Sequence, residues 1–262
     1  MIPRLHLFEV EDSPRLPSLL RDMMTEYLHW VMDVSGPYDP AAARIAALLR
    51  AAGTSRVVDL MSGGAGPWPR LVPLVAAALG ATPQVTLTDL HPNLGAFARA
   101  ERASGGAMRG HHDPVDATAV PPALGGLRTM FTGLHHLSPA QVRALMRDAA
   151  AQRQPFVAFE LTKRSGLGVL LMLASLLLVL VSAPFIRPFR LERLVLTWLL
   201  PILPLFIVWD GVVSALRSYT TSELRAFASD VACDGYGWEV GEAQSASTPM
   251  GVTYLIGEPE VG

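Results

Sequence analysis

The stretch Val57-Val58-Asp59-Leu60-Met61-Ser62-Gly63-Gly64-Ala65-Gly66-Pro67 decides how this chain is read. A short apolar run ends in an acid, a glycine-rich turn follows, and proline stands where a helix can begin. Glycines let the backbone come close to a ligand, and a helix start presents unpaired N–H groups. The unit repeats downstream. Residues 84–90 (QVTLTDL) read as a second strand, with a helix over about 92–103. Residues 108–113 read as a weak third strand and 127–134 as a fourth. Ser138-Pro139 caps a helix to about Gln152, and 155–161 reads as a fifth strand. Strands alternating with helices predict βαβ units and a mostly parallel sheet.

Upstream, Leu19, Leu20, Met23, Met24, Tyr27 and Leu28 recur at helical spacing, and Ala41–Ala52 reads as a helix closed by Gly53. Downstream, the alternation breaks at two apolar stretches, 166–186 and 194–213. Thr220-Thr221-Ser222-Glu223 then opens a helix with a capping-box pattern. The last residues read as two strands joined by a Ser/Thr/Pro/Gly loop.

The 262 residues carry a net charge of -2, with one lysine, Lys163, and no basic stripe, which disfavours a nucleic-acid partner. Cys233 is the only cysteine, so neither an internal disulfide nor a cysteine-based metal site can form. Residues 1–16 have no long apolar core, so a cytoplasmic chain is expected, with peripheral membrane attachment as the option. The alanine- and arginine-rich usage suggests a bacterial source.

A dinucleotide fingerprint starting from Gly64 and Gly66 would need glycine at position 69, where Pro69 stands, which disfavours an NAD(P)-dependent reductase. The sequence instead resembles the class I S-adenosylmethionine-dependent methyltransferases. Their first motif is an acid followed by three alternating glycines. Aligned on Asp59, those positions are Met61, Gly63 and Ala65, with Gly64 and Gly66 one place off. Asp89 stands where that family's acid holds the ribose hydroxyls, Asp116-Ala117 where an acid meets the adenine amino group, and Phe131–Pro139 resembles its fourth-strand motif.

The resemblance implies S-adenosylmethionine as cofactor and no metal. It also implies an α/β fold: a Rossmann-like, mostly parallel seven-stranded sheet with helices on both faces and an antiparallel C-terminal strand pair. The expected parts are a helical cap over 1–53, the cofactor-binding core over 54–162, an apolar helical insertion over 163–218, and a closing helix and strand pair over 219–262. Cofactor contacts are expected from Asp59, Ser62, Gly63, Gly64 and Gly66, then Asp89 and Leu90, Asp116 and Ala117, and Thr132. Candidates to position or deprotonate the acceptor are His135 and His136 at the tip of the fourth strand and Glu160 at the tip of the fifth.

The apolar insertion and the cap are where the acceptor is expected, with Tyr27, His29, Trp30, Trp209 and Asp210 as candidate contacts. Apolar walls suggest a small, apolar acceptor. The insertion itself reads as a lid, a homodimer element, an interfacial hairpin or a span. Arg187, Arg190 and Arg193 in its connector count against a span, because they would have to cross the membrane. Asp210 has a plainer reading as a helix cap or a partner of Arg217. The rival to an enzyme is a non-catalytic, membrane-associated or dimeric binding module on the same fold.

Overall fold

In the computed structural model, residues 2–13, 15–245 and 248–260 are described. The apolar runs become strands Arg56–Asp59 (β1), Gln84–Leu87 (β2), Met108–Gly110 (β3), Leu127–Phe131 (β4) and Phe156–Glu160 (β5), followed by Tyr236–Ser245 (β6) and Thr248–Pro259 (β7). They form one sheet in the order β3-β2-β1-β4-β5-β7-β6. β1 to β5 run parallel, β7 is antiparallel to β5, and β6 is antiparallel to β7. β4 and β5 are buried along their whole length, as continuous apolar runs at the centre of a covered parallel sheet must be. Part of the expected loop between the last two strands, residues 246–247, lies outside the described residues.

Among the described residues the helices are Ser18–Ser35 (α1), Ala41–Ala51 (α2), Trp68–Leu79 (α3), Leu94–Ala103 (α4), Pro139–Ala151 (α5), Gly166–Ser182 (α6), Leu191–Leu194 (α7), Ile202–Arg217 (α8) and Thr221–Asp230 (α9). Their ends follow the local chemistry. Gly80 closes α3 in the left-handed conformation, and Ser138 with Gln141 and Thr220 with Glu223 form the capping boxes of α5 and α9.

The chain folds as two compact units, each built from two separate stretches. One joins Gly36–Leu161 to Thr220–Gly262 and holds the sheet with helices on both sides. Residues 36–53 belong here, with α2 packed along α3, so the expected cap of residues 1–53 divides after Ser35 between the two units. Inside this unit Arg128, on β4, is buried and pairs with Asp148 of α5 at 2.7 Å.

The other unit joins Met1–Ser35 to Thr162–Tyr219. Its core packs Met23, Met24 and Tyr27 of α1 against Val179, Leu203 and Ile207 of the insertion. The N-terminal residues lie along α8 as a strap. Asp210 accepts the backbone N–H groups of Val10 (2.6 Å) and Glu11 (3.0 Å), and Arg217 pairs with Asp12 (2.9 Å) and Glu9 (3.3 Å). Glu26 of α1 holds both Arg190 and Arg193 from the connector between α6 and α8.

Candidate active site

The sheet reverses its winding between β1 and β4, and open α/β sheets bind ligands outside the carboxyl ends of their strands at such a point. The glycine-rich turn leaves β1 here. Asp59, which ends β1, is 2 % exposed; its Oδ1 accepts the Thr129 hydroxyl of β4 and its Oδ2 the Ser62 hydroxyl, both at 2.7 Å. Ser62 is buried too and accepts the Thr88 N–H at 3.1 Å. Burial pushes the Asp59 carboxyl up to about 6 against the pull of the two hydroxyls. Asp59 and Ser62, expected as cofactor contacts, thus fasten the turn from within the sheet. Their polar atoms are bonded to one another, to Thr129 of β4 and to Thr88 just beyond β2.

Above that anchor the backbone takes positive φ at Met61 (54°), Gly63 (53°), Ala65 (95°) and Gly66 (50°). Met61, Gly63 and Ala65 are the three positions aligned with alternating glycines in the sequence reading. The turn therefore keeps a shape that favours glycine, although two of the three residues carry a Cβ. Each non-glycine residue held there costs roughly 1–2 kcal/mol. At Gly63 and Gly66 a Cβ would meet no atom within 4 Å, so open space lies over the turn.

Asp89, two residues beyond β2, closes the same space. Its Oδ2 accepts the Gly63 N–H and its Oδ1 the N–H of His91, both at 2.9 Å. The carbonyl of Asp89 takes the Val115 N–H at 2.8 Å, which brings the Asp116 loop alongside. Asp89 is half-buried and Leu90 is exposed. Asp116 is exposed and its Oδ1 accepts both the backbone and the hydroxyl of Thr118, while Ala117 beside it is buried. Three loops that are far apart in sequence thus meet at the strand tips, and Gly63 and Asp89 are in direct contact. Carboxylate oxygens that already take one N–H each still have lone pairs for hydroxyl donors, so the donor set fits an adenosyl ribose.

Under the tips of β4 and β5 sits a second polar group. Glu160 is buried; its Oε1 accepts the Leu134 N–H at 2.7 Å and its Oε2 lies 2.9 Å from Nδ1 of His135, also buried. His136 is half-buried, with its ring centroid 4.2 Å from that of His135. Thr132, at φ 50°, hydrogen-bonds Tyr38, whose ring packs edge-on against Phe131 at 5.1 Å. Tyr38 is fully buried, and burial raises its phenol well above the ordinary range. Asp39 beside it holds Arg70 of α3 through two 2.6 Å bonds. The sequence reading passed over Tyr38, because nothing in a turn of the form Gly-Pro-Tyr-Asp-Pro marks a contact ninety-four residues away.

The expected acceptor contacts lie in the other unit. Tyr27 is in its core, and burial raises the phenol to about 12. Trp30 packs at the edge of that core and His29 is half-buried. Trp209 is 42 % exposed and donates to the Phe8 carbonyl. Asp210 is the anchor of the strap. Its carboxylate accepts the backbone N–H groups of Val10 and Glu11.

No family model matches the sequence, and no curated protein matches it. Solved structures do. An O-methyltransferase from neocarzinostatin biosynthesis, solved with S-adenosylmethionine and 2-hydroxy-5-methyl naphthoic acid, is 18% identical, with a TM-score of 0.55 over 95% of this chain and 60% of that one. A putative O-methyltransferase from Nostoc punctiforme is 14% identical over 97% of this chain and 64% of that one, with a TM-score of 0.49. Magnesium protoporphyrin IX methyltransferase from Synechocystis, solved with S-adenosylhomocysteine, is 13% identical over 86% and 84%, with a TM-score of 0.46. This chain spans about three fifths of the length of the first two. The fold is the Rossmann-like α/β fold of the class I S-adenosylmethionine-dependent methyltransferases.

Proposed function

We propose that this chain is an S-adenosylmethionine-dependent methyltransferase acting on a small, apolar acceptor. The observation that carries the reading is the bond between the Gly63 N–H and the Asp89 carboxylate, with open space above it at the switch point of the sheet. The neocarzinostatin enzyme, which has the same fold, was solved with this cofactor and a naphthoic acid.

When bound, S-adenosylmethionine supplies a methyl group already activated on a sulfonium. The work left to the chain is alignment and proton handling. The Asp89 carboxylate accepts the ribose hydroxyls, and Leu90 offers an exposed apolar side chain beside them. Gly63, Gly64 and Gly66 keep side chains out of the turn, and Asp116, Ala117 and Thr132 flank the adenosyl group. Glu160 fixes the turn at Leu134 through the backbone and orients the His135 ring through Nδ1. His136, whose ring lies tilted against that of His135, takes the proton from an acceptor O–H or N–H.

Calorimetry with S-adenosylmethionine and its demethylated product tests this. Asp89→Ala is expected to weaken binding at least tenfold, since a charge-assisted pair of hydrogen bonds is worth roughly 1.5–3 kcal/mol. Absence of heat with either ligand on the unaltered chain would overturn the reading in favour of a non-catalytic module.

A further inference from the structure

The unit built from the N-terminal residues and the insertion exposes far more apolar surface than a water-soluble unit needs. On α6, Leu170, Leu173, Leu177 and Val181 follow one helical face and are 51–69% exposed. Leu176 and Leu178 on either side of Leu177 are exposed as well, so the open arc spans more than half the helix circumference. The connector adds Phe185, Phe189, Leu191, Trp198 and Leu199 at 55–75% exposure. A helix that is apolar nearly all round belongs in a core or in lipid, and apart from the side at Val179 α6 is outside the core.

Three observations say what covers this face. First, although Thr197 Oγ1 is buried without a partner, the serine hydroxyls and indole N–H groups on and beside this face are satisfied from inside, as hydrocarbon requires. Ser175 and Ser182 donate to the carbonyls of Met172 and Val179, and the indole N–H groups of Trp198 and Trp209 to those of Leu180 and Phe8. A protein partner would find almost no polar group to register on, whereas protein interfaces carry a polar rim.

Second, the lengths do not favour a crossing by either helix alone. With 17 and 16 residues, α6 and α8 are about 26 and 24 Å long, short of a hydrocarbon core of about 30 Å. Among the described residues no single helix is long and apolar enough to cross; Leu191–Leu199 and Ile202–Arg217 reach that length and composition only together, and they are bent by 77°.

Third, the charges are arranged for headgroups. From Ser165 to Trp209 the only charged residues are Arg187, Arg190, Glu192 and Arg193, all in or beside the connector. Arg193 is fully buried on Glu26 and on the carbonyls of Ile186 and Pro188, and Arg190 shares Glu26. Glu26, Glu192 and Asp22 act on Arg190 and Glu26 also holds Arg193, which leaves the exposed Arg187 as the cation that meets a phosphate.

We propose that the α6–α8 hairpin and its connector form a monotopic docking element that seats in one leaflet of an anionic lipid bilayer. It does not depend on the methyltransferase reading, since the hairpin's surface and the cofactor turn are different residues.

Flotation of the purified full chain with phosphatidylcholine vesicles, with and without phosphatidylglycerol, tests this. The chain is expected to float with the vesicles, and more completely when phosphatidylglycerol is present. A Leu177→Glu, Val181→Glu variant is expected to partition at least tenfold less, since each carboxylate opposes insertion, while its affinity for S-adenosylmethionine stays unchanged. On the unaltered chain, brominated acyl chains are expected to quench a fluorescence component that Trp198→Phe removes, which keeps the test open if the charged variant misfolds. A chain that stays in the aqueous phase and shows no such quenching overturns the proposal. So does a stable dimer, indifferent to vesicles, that the Leu177→Glu substitution splits into monomers, because a second copy then covers the face.

Discussion

Asp59 carries a charge into the centre of the sheet, and its acidity gives that placement a measurable signature. Burial raises its carboxyl from 3.8 to about 6, so the folded chain holds this proton more tightly than the unfolded one. The sign follows directly: the contribution is most favourable below about pH 4, falls as pH rises through about 6, and is flat above. Two units correspond to on the order of 3 kcal/mol. Asp59→Asn cannot ionise. It loses one acceptor for Ser62 or Thr129, a penalty that does not vary with pH. The stability difference between the variant and the parent should therefore move in favour of asparagine by on the order of 3 kcal/mol between about pH 4 and pH 7, read from urea unfolding across that range. Parallel curves would show that this carboxyl is solvated. The sequence makes Asp59 visible as an acid after a strand, but its inward direction depends on Thr129, seventy residues away, and was not legible. Asp89 stood out by its likeness to the family's ribose-holding acid, and its carboxylate lies on the Gly63 N–H. The strain at Met61 and Ala65 was half legible: the glycine-demanding positions could be counted, but not whether the backbone would keep its shape without glycine.

At the scale of elements, most of the chain could be read from local chemistry. The capping residues Ser138 and Thr220, the stop at Gly80 and the apolar runs of β1, β4 and β5 all carry their structure in a few neighbouring residues. The strap along α8 does not. Its bonds join residues about two hundred positions apart, and an acid following thirteen mostly apolar residues looks from the sequence like a cap or a pocket wall. The structure makes Asp210 the residue that holds the strap down, and its removal should act on that element first. Asp210→Ala leaves the N–H groups of Val10 and Glu11 without their acceptor, a loss of about 1–3 kcal/mol for each group that stays buried. Amide exchange at Val10 and Glu11 is expected to quicken at least tenfold, and limited proteolysis to cut within the first dozen residues. The amides of β4 and β5, which belong to the other unit, should keep their protection. Unchanged exchange at Val10 and Glu11 would show that Arg217 with Glu9 and Asp12 holds the strap without Asp210.

At the scale of the whole molecule, the chain is interleaved: each compact unit is assembled from two stretches, and the two proposed ligands fall on different units. The turn at Gly63 and the carboxylate of Asp89 lie wholly in the sheet unit, while the apolar face of α6 and the connector with Arg187 lie wholly in the other. A ligand stabilises what it binds by mass action, by about 2.7 kcal/mol at a hundred times its dissociation constant, and that stabilisation is spread over the cooperative unit that must open for exchange. Two ligands should therefore leave two separate footprints in amide exchange. S-Adenosylhomocysteine is expected to slow exchange in residues 60–66, 88–91 and 115–118 and to leave 170–181 as they were. Anionic vesicles are expected to slow exchange in 170–200 and to leave the cofactor loops as they were. If the cofactor product protected the α6 face as strongly as the loops, the two units would open as one body, and the apolar hairpin would have to be understood as part of the cofactor-binding unit and not as an independent element. If each footprint stays within its own unit, the fold couples a transferase sheet to a separate lipid-facing element through the chain connections alone, and an apolar acceptor would be drawn from the same lipid phase in which the hairpin rests.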